Sequence, residues 1–215
     1  MISAWWIPAY FVYHVLLSEV LQRNFCLRSL SKTDPILRQY VISCMLMSGF
    51  NFLCAGYAVY MYARIFDKGG DSEPDLVTLA KKFFVCTFLA DIWFYTTHRL
   101  LHVPWFFRQF HRIHHVWISP IARAAYYCHP AENLLSNIGS LLVPLYMVDA
   151  STLLVHLWVV AAITQSTIAH TGPLKIFDTI VVSRHDAHHL HFNVEFGINL
   201  FMDRLLGTQV NRFHD

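Results

Sequence analysis

Hydrophobic and polar positions divide this chain into four apolar regions separated by short polar links. The first runs from about Ile2 to Leu21 and ends in a basic stretch carrying Arg23, Arg28, Lys32 and Arg38. The second runs from about Tyr40 to Ile65, long enough to cross a bilayer with some tilt, since a span needs roughly 20 apolar residues. A polar link from Asp67 to Asp75 follows, with Gly69, Gly70 and Pro74. The third run, Leu76 to Tyr95, continues without a helix breaker into a histidine motif. The fourth, Leu134 to Ile168, is interrupted by Pro144 and Asp149. Its first half is too short to cross comfortably, so the pattern predicts a helical hairpin that enters and leaves on one side. The expected architecture is an all-α integral membrane bundle with a cytosolic, histidine-rich helical cap. Residues 1–75 are expected to form the N-terminal spans and loops, and 76–215 the catalytic region of what is a single domain overall.

Composition supports a bilayer as solvent. Hydrophobic residues make up 55% of the chain and charged residues 14%, against about 25% charged in an ordinary globular domain. The N-terminus has no basic region before its apolar run and no small-residue cleavage site after it, so it is read as a retained span. With the N-terminus lumenal, twelve of the 16 Lys and Arg residues fall on the cytosolic side and four (Arg64, Lys68, Lys81, Lys82) on the other, as the positive-inside rule favours. That topology also places every clustered histidine on one face. No basic stripe with interleaved aromatics suggests nucleic acid. The five cysteines are scattered without a C-x-x-C pair and read as apolar filler.

The 14 histidines nearly equal Lys and Arg combined. Three clusters stand out: His98–His102 as H-x-x-x-H, His111–His115 as H-x-x-H-H, and His185–His189 as H-x-x-H-H. On a helix, residues i, i+3 and i+4 share a face, so each cluster can present several imidazoles together. Neutral imidazole is a strong ligand for first-row metals. Eight of them, His98, His102, His111, His114, His115, His185, His188 and His189, suffice for two ions with open positions. Structural zinc rarely needs so many ligands and usually recruits cysteine, whereas nitrogen-rich open sites suit iron and dioxygen. No Glu-x-x-His motif of the carboxylate-bridged di-iron bundles occurs. Asp91 lies two helical turns before His98 and could hold a ligand imidazole in one tautomer. Asp186 and Glu132 are similar candidates. Capping or interface positions explain these carboxylates equally well. His14, His156 and His214 are isolated and read as ordinary core or surface residues. Pro104 to Phe110 reads as an amphipathic element at the interface.

From Asp91 to Thr208 the chain resembles the fatty acid hydroxylase superfamily, which includes sterol desaturases, C-4 methylsterol oxidases and sphingoid-base hydroxylases. The matching stretches are D-I-W-F-Y-T-T-H-R-L-L-H, F-H-R-I-H-H, H-P-A-E from His129 to Glu132, H-T-G from His170 to Gly172, H-D-A-H-H-L-H, and D-R-L-L-G-T. The resemblance implies a non-haem site of two iron ions held by the eight histidines, at the cytosolic face of the endoplasmic reticulum. It implies O2 as oxidant and NAD(P)H-derived electrons passed through cytochrome b5 or its reductase. The product would be a hydroxylated or desaturated membrane lipid, a sterol or sphingolipid or fatty acyl chain. His129 and His170 match positions that similar proteins use as a further ligand or a supporting group. No fused cytochrome b5 domain or C-terminal dilysine occurs in these 215 residues, which leaves the electron donor and the retention signal open. Two other readings stay open: a membrane haem electron carrier with bis-histidine ligation, and an inactive scaffold of the same family.

The topology makes a direct prediction. A tag placed after Asp215 should be digested by protease added to intact microsomes. Protection until detergent is added would reverse the orientation.

Overall fold

The computed structural model describes residues 5–24, 35–66, 74–118, 120–172, 174–176, 179–181 and 184–210. His214 and the basic residues Arg28, Lys32, Lys68 and Arg212 lie outside them. The regular structure of the described residues is helical apart from one short hairpin. Three long helices come first: α1 (Trp6–Asn24), α2 (Pro35–Phe66) and α3 (Leu76–Leu101). Asp75 caps α3, its carboxylate accepting the N–H groups of Val77 and Thr78. The short α4 (Pro104–Gln109) leads into a 3-10 helix at His111–Val116, and a second 3-10 turn follows at Ala122–Ala124. A helical rod then begins as α5 (Pro130–Glu132), widens to a π-helix over Asn133–Ile138, and ends as α6 (Gly139–Met147). It is followed by α7 (Thr152–Ala169), the hairpin β1 (Leu174–Ile176) and β2 (Thr179–Val181), α8 (Arg184–His191) and α9 (Phe201–Leu205). The hairpin pairs antiparallel, Leu174 opposite Val181. It is a departure from the expected all-α chain.

The fourth apolar region does fold as a helical hairpin, broken at one of its two predicted points. Pro144 sits inside α6, while the chain reverses at Asp149, which adopts φ 50°. Ser151 then caps α7. Pro144 is the sixth of the nine residues of α6, so it removes one helical N–H without ending the helix.

The helices are apolar on the outside. Leu46 is 71% exposed, Phe84 73% and Leu53 57%, while the interior holds Ser18, Ser48, Asn51, Thr97, Asn133, Ser136 and Thr167, all buried. A water-soluble bundle shows the reverse pattern. The buried polar groups are tied to one another. Asn51 donates to the carbonyls of Tyr126 and Cys128, Asn133 donates to the Asn51 carbonyl, and Ser136 donates to Thr97. Around this network pack Tyr10, Phe52, Val59, Leu154, Trp158 and Ile163. Two helical stretches, Ile42–Phe66 and Thr152–Ala169, are long and apolar enough to cross a membrane.

The two ends of the bundle differ. At one end Gln22 of α1 accepts the Ala122 N–H, Ser48 of α2 donates to the Arg123 carbonyl, and α3 and α7 finish at His102 and His170. At the other, Lys82 near the start of α3 donates to the Asp149 carbonyl at the α6–α7 turn. All histidine clusters therefore lie at one end. The rod from α5 to α6 packs along α3 through a close approach at Gly139, where a side chain would overlap the Trp93 indole. The indole N–H donates to the Leu135 carbonyl, in the π-helix, where the normal helical ladder is disturbed.

Gly139→Ala should therefore overpack the α3–α6 seam and cost about 1–3 kcal/mol, read as a lower thermal midpoint in detergent. An unchanged midpoint would mean that Trp93 can vacate its seat.

Candidate metal centre

The histidines meet where four elements end. The last turn of α3 supplies His98 and His102, the first 3-10 helix supplies His111, His114 and His115, and α8 supplies His185, His188 and His189. The first H-x-x-H-H thus lies on a 3-10 helix, where an α-helix was expected. His170, the C-cap of α7, is the ninth. These nine form two groups. His98, His102, His111, His115 and His188 make one, and His114, His170, His185 and His189 the other; within each, one ligand atom per ring lies within 4.8 Å of all the rest. Each H-x-x-H-H divides in the same way. His111 and His115 stay together, as do His185 and His189, while His114 and His188 cross to the opposite group.

Adjacent Nε2 atoms are 3.1 to 3.3 Å apart: 3.1 Å for His98–His111, His111–His115 and His102–His188, and 3.3 Å for His114–His170. With metal–imidazole bonds of about 2.0–2.1 Å, neighbouring ligand nitrogens are separated by about 2.9–3.4 Å. The alternative, hydrogen bonds between the rings, is closed off on the far side of four of the nine rings. Nδ1 of His98 donates to the Phe196 carbonyl (2.8 Å), of His188 to Val194 (2.7 Å), of His170 to Ser166 (2.7 Å) and of His114 to Tyr127 (3.2 Å). A carbonyl only accepts, so these rings carry their proton on Nδ1 and present a lone pair at Nε2. His111 Nδ1 faces Glu132 Oε1 at 2.9 Å, off the line of an aligned hydrogen bond. At His114–His170, where both rings are fixed in that tautomer, lone pairs face one another at 3.3 Å and need a cation between them. Protons do not serve near neutrality, because burial lowers the imidazole pKa values, to about 4 for His114, about 3 for His170 and about 2 for His102. The residues fit a pair of metal ions.

The supporting residues are distributed differently from the sequence expectation. Asp91 touches no imidazole. Fully buried, it accepts the backbone N–H groups of Ile198, Asn199 and Met202. The carboxylate that faces a clustered ring is Glu132, whose burial raises its pKa well above the ordinary range. Asp186 is buried in the first turn of α8. His129 and His170, paired by the sequence, part company. His170 joins the second group, while His129 caps α5 by accepting the Ala131 N–H. His191 is exposed and outside both groups. His14 is buried against Phe52 and Tyr126, with a 3.0 Å hydrogen bond to Thr167, and His156 bonds to Tyr10. The four carbonyls that orient rings left no trace in the sequence, because any residue has one.

A cavity of about 690 Å³ joins the bundle interior to the histidines. Phe52, Val59, Phe83 and Trp158 line its apolar part, and His98, His111, His114, His170 and His185 its polar end. Its volume falls within the range of small-molecule sites.

Comparison with known proteins gives the site a lineage. The fatty acid hydroxylase family model matches residues 83–208, more than half the chain. A human fatty acid hydroxylase domain-containing protein is 33% identical over 130 residues, covering 58% of this chain and 37% of that protein. A fatty acid hydroxylase of Mycosarcoma maydis is 37% identical over 125 residues, 58% of this chain and 32% of its own length. The C-4 methylsterol oxidase of Schizosaccharomyces pombe is 30% identical over 136 residues, 58% of this chain and 45% of its own. The chain thus spans about a third to a half of these relatives. No solved structure matches. With its matched segment containing all nine grouped histidines, the chain belongs to the fatty acid hydroxylase family.

Proposed function

We propose that this chain is a membrane-bound, non-haem di-iron oxygenase that hydroxylates or desaturates a lipid, a sterol or a sphingolipid or fatty acyl chain. The observation that carries the reading is the meeting of two buried imidazole groups with one end of an apolar cavity. His98, His102, His111, His115 and His188 would hold one iron, and His114, His170, His185 and His189 the other. The iron pair, when bound, supplies the means to reduce O2 and oxidise an unactivated C–H bond. The cavity binds the lipid chain, orients it toward His98, His111, His114, His170 and His185, and keeps water out. The neutral rings add no negative charge to the site, and burial keeps them unprotonated.

Family membership and the C-4 methylsterol oxidase relative support an oxidoreductase acting on lipid. Electrons would come from NAD(P)H through cytochrome b5 or its reductase. The apolar outer faces support a bilayer around α1, α2, α3 and α7. The histidine groups share one end of the bundle with the α1–α2 side, which carries the basic loop of the sequence. That arrangement supports an endoplasmic reticulum protein with its site toward the cytosol. A bis-histidine haem needs one opposed pair of rings with a flat macrocycle between them, whereas here rings converge from four elements.

Anaerobically purified protein should carry two irons per chain and turn over a lipid substrate. His188→Ala should lower iron content and abolish turnover, while His191→Ala, outside both groups, keeps both. Activity lost on complete metal removal and restored by zinc alone, not by iron, would sink the assignment.

Acid should destabilise the metal-free protein. The unfolded chain protonates each imidazole near pH 6.5, whereas folded His114 does so only near 4 and His170 near 3. Between those values the unfolded state binds more protons, so stability falls as pH drops through that window. Thermal midpoints at pH 7.5 and 5 test this, and equal midpoints would contradict neutral buried rings.

A further inference from the structure

The segment after α8 has no regular structure, yet its backbone is fixed at nearly every peptide. Phe192, Glu195 and Leu200 all adopt left-handed backbone conformations, with φ of 66°, 54° and 71°. Side chains other than glycine adopt such conformations only where the surroundings impose them. Between Glu195 and Leu200 the peptides are held by a pair of fully buried carboxylates. Asp203 accepts the N–H groups of Phe196 (2.8 Å) and Gly197 (2.7 Å). Asp91, on α3, accepts those of Ile198 (2.7 Å), Asn199 (2.7 Å) and Met202 (2.9 Å). A side chain at Gly197 would lie 2.8 Å from both carboxylates, so only glycine lets them converge.

The carbonyls of the same segment point the other way, to His98 and His188. The peptide unit between Phe196 and Gly197 is one rigid plane. Its N–H binds Asp203 and its carbonyl accepts from His98 Nδ1. The next such unit, between Val194 and Glu195, accepts from His188 Nδ1 through its carbonyl. Its N–H donates to the Thr208 carbonyl, and the Thr208 hydroxyl donates to Asp203. Both rings belong to the five-histidine group, and neither peptide touches the other four histidines. Asp91 adds a second constraint, because it rides on the helix that carries His98, seven residues earlier.

We propose that Asp91 and Asp203 are positioning residues that act through the 194–199 backbone to aim His98 and His188, Asp203 also polarising the carbonyl that His98 meets, and so govern metal binding at the five-histidine position alone. The Phe196–Gly197 peptide, its N–H bound to the Asp203 carboxylate, is thereby a stronger acceptor at the carbonyl that faces His98. The imidazole that donates to it becomes a better base at Nε2. This inference rests on the metal-centre reading above.

The test is titration of the metal-free full chain, in detergent, with Co(II) alone, following ligand-field absorption. Wild-type protein should take up two ions. In Asp203→Asn and Asp91→Asn one ion should bind about 10- to 100-fold more weakly, the range for disrupted support of a ligand histidine. The other should be unchanged. His114→Ala, which disables the four-histidine group, should weaken the complementary ion and so identify the sites. Gly197→Ala, which leaves both carboxylates in place but blocks their convergence, should reproduce the selective loss. Parallel weakening of both ions, or no weakening in variants that keep their helical circular dichroism, would overturn the proposal. Loss of helix content in all three variants would overturn it too, by showing a purely architectural role. Failure of the wild-type chain to bind two ions would instead overturn the metal-centre reading.

Discussion

Nine neutral imidazoles crowd their lone pairs together inside a protein, and the surrounding structure answers to that repulsion. Nitrogen atoms 3.3 Å apart with no proton between them, as at His114–His170, are unfavourable unless a cation fills the gap. Four of the rings are pinned from behind, by the carbonyls of Phe196, Val194, Tyr127 and Ser166. These come from three separate stretches of chain, and Glu132 on a fourth faces His111.

The bundle behind the site meets a second demand. In the bilayer setting proposed above, helices gain little by burying more apolar surface, so packing and internal hydrogen bonds take over. Small residues and polar pairs accordingly sit inside: Gly139 against Trp93, Asn51 against the 126–128 carbonyls, Ser136 against Thr97. The π-helix is the joint between the two demands. It carries Asn133 and Ser136 into the bundle's polar network, follows directly on Glu132, and offers a carbonyl to Trp93. The cavity runs past this joint, where Ser136 and Asn137 line it between its apolar part and the imidazoles.

Several carboxylates trade roles between sequence and structure. Asp91 stands two turns from His98 on the same helix, the natural place for a ring partner. It instead binds three backbone N–H groups more than a hundred residues away. An irregular buried segment has N–H groups that must be satisfied, and an acceptor with two oxygens satisfies several at once. Glu132 gains the ring contact because the helical rod brings it beside His111. Helical spacing along one element says nothing about which foreign backbone will pass nearby.

By itself the sequence pointed to the family and picked out eight of the nine grouped histidines. Apolar run lengths, the reversal at Asp149, the eight clustered histidines and the family motifs are all local properties, written in neighbouring residues and in side-chain type. The i, i+4 pairing of His111 with His115 and of His185 with His189 belongs with them. Only the tertiary structure decided how the rings are shared between two groups, with His114 and His188 crossing over. It alone admitted His170 and left His129 as a helix cap, though both stand in family motifs. It alone placed the short β-hairpin and the 3-10 form of the second cluster. The reason is physical. Which lone pairs converge depends on rigid-body placement of four elements and on backbone carbonyls, and every residue carries the same carbonyl.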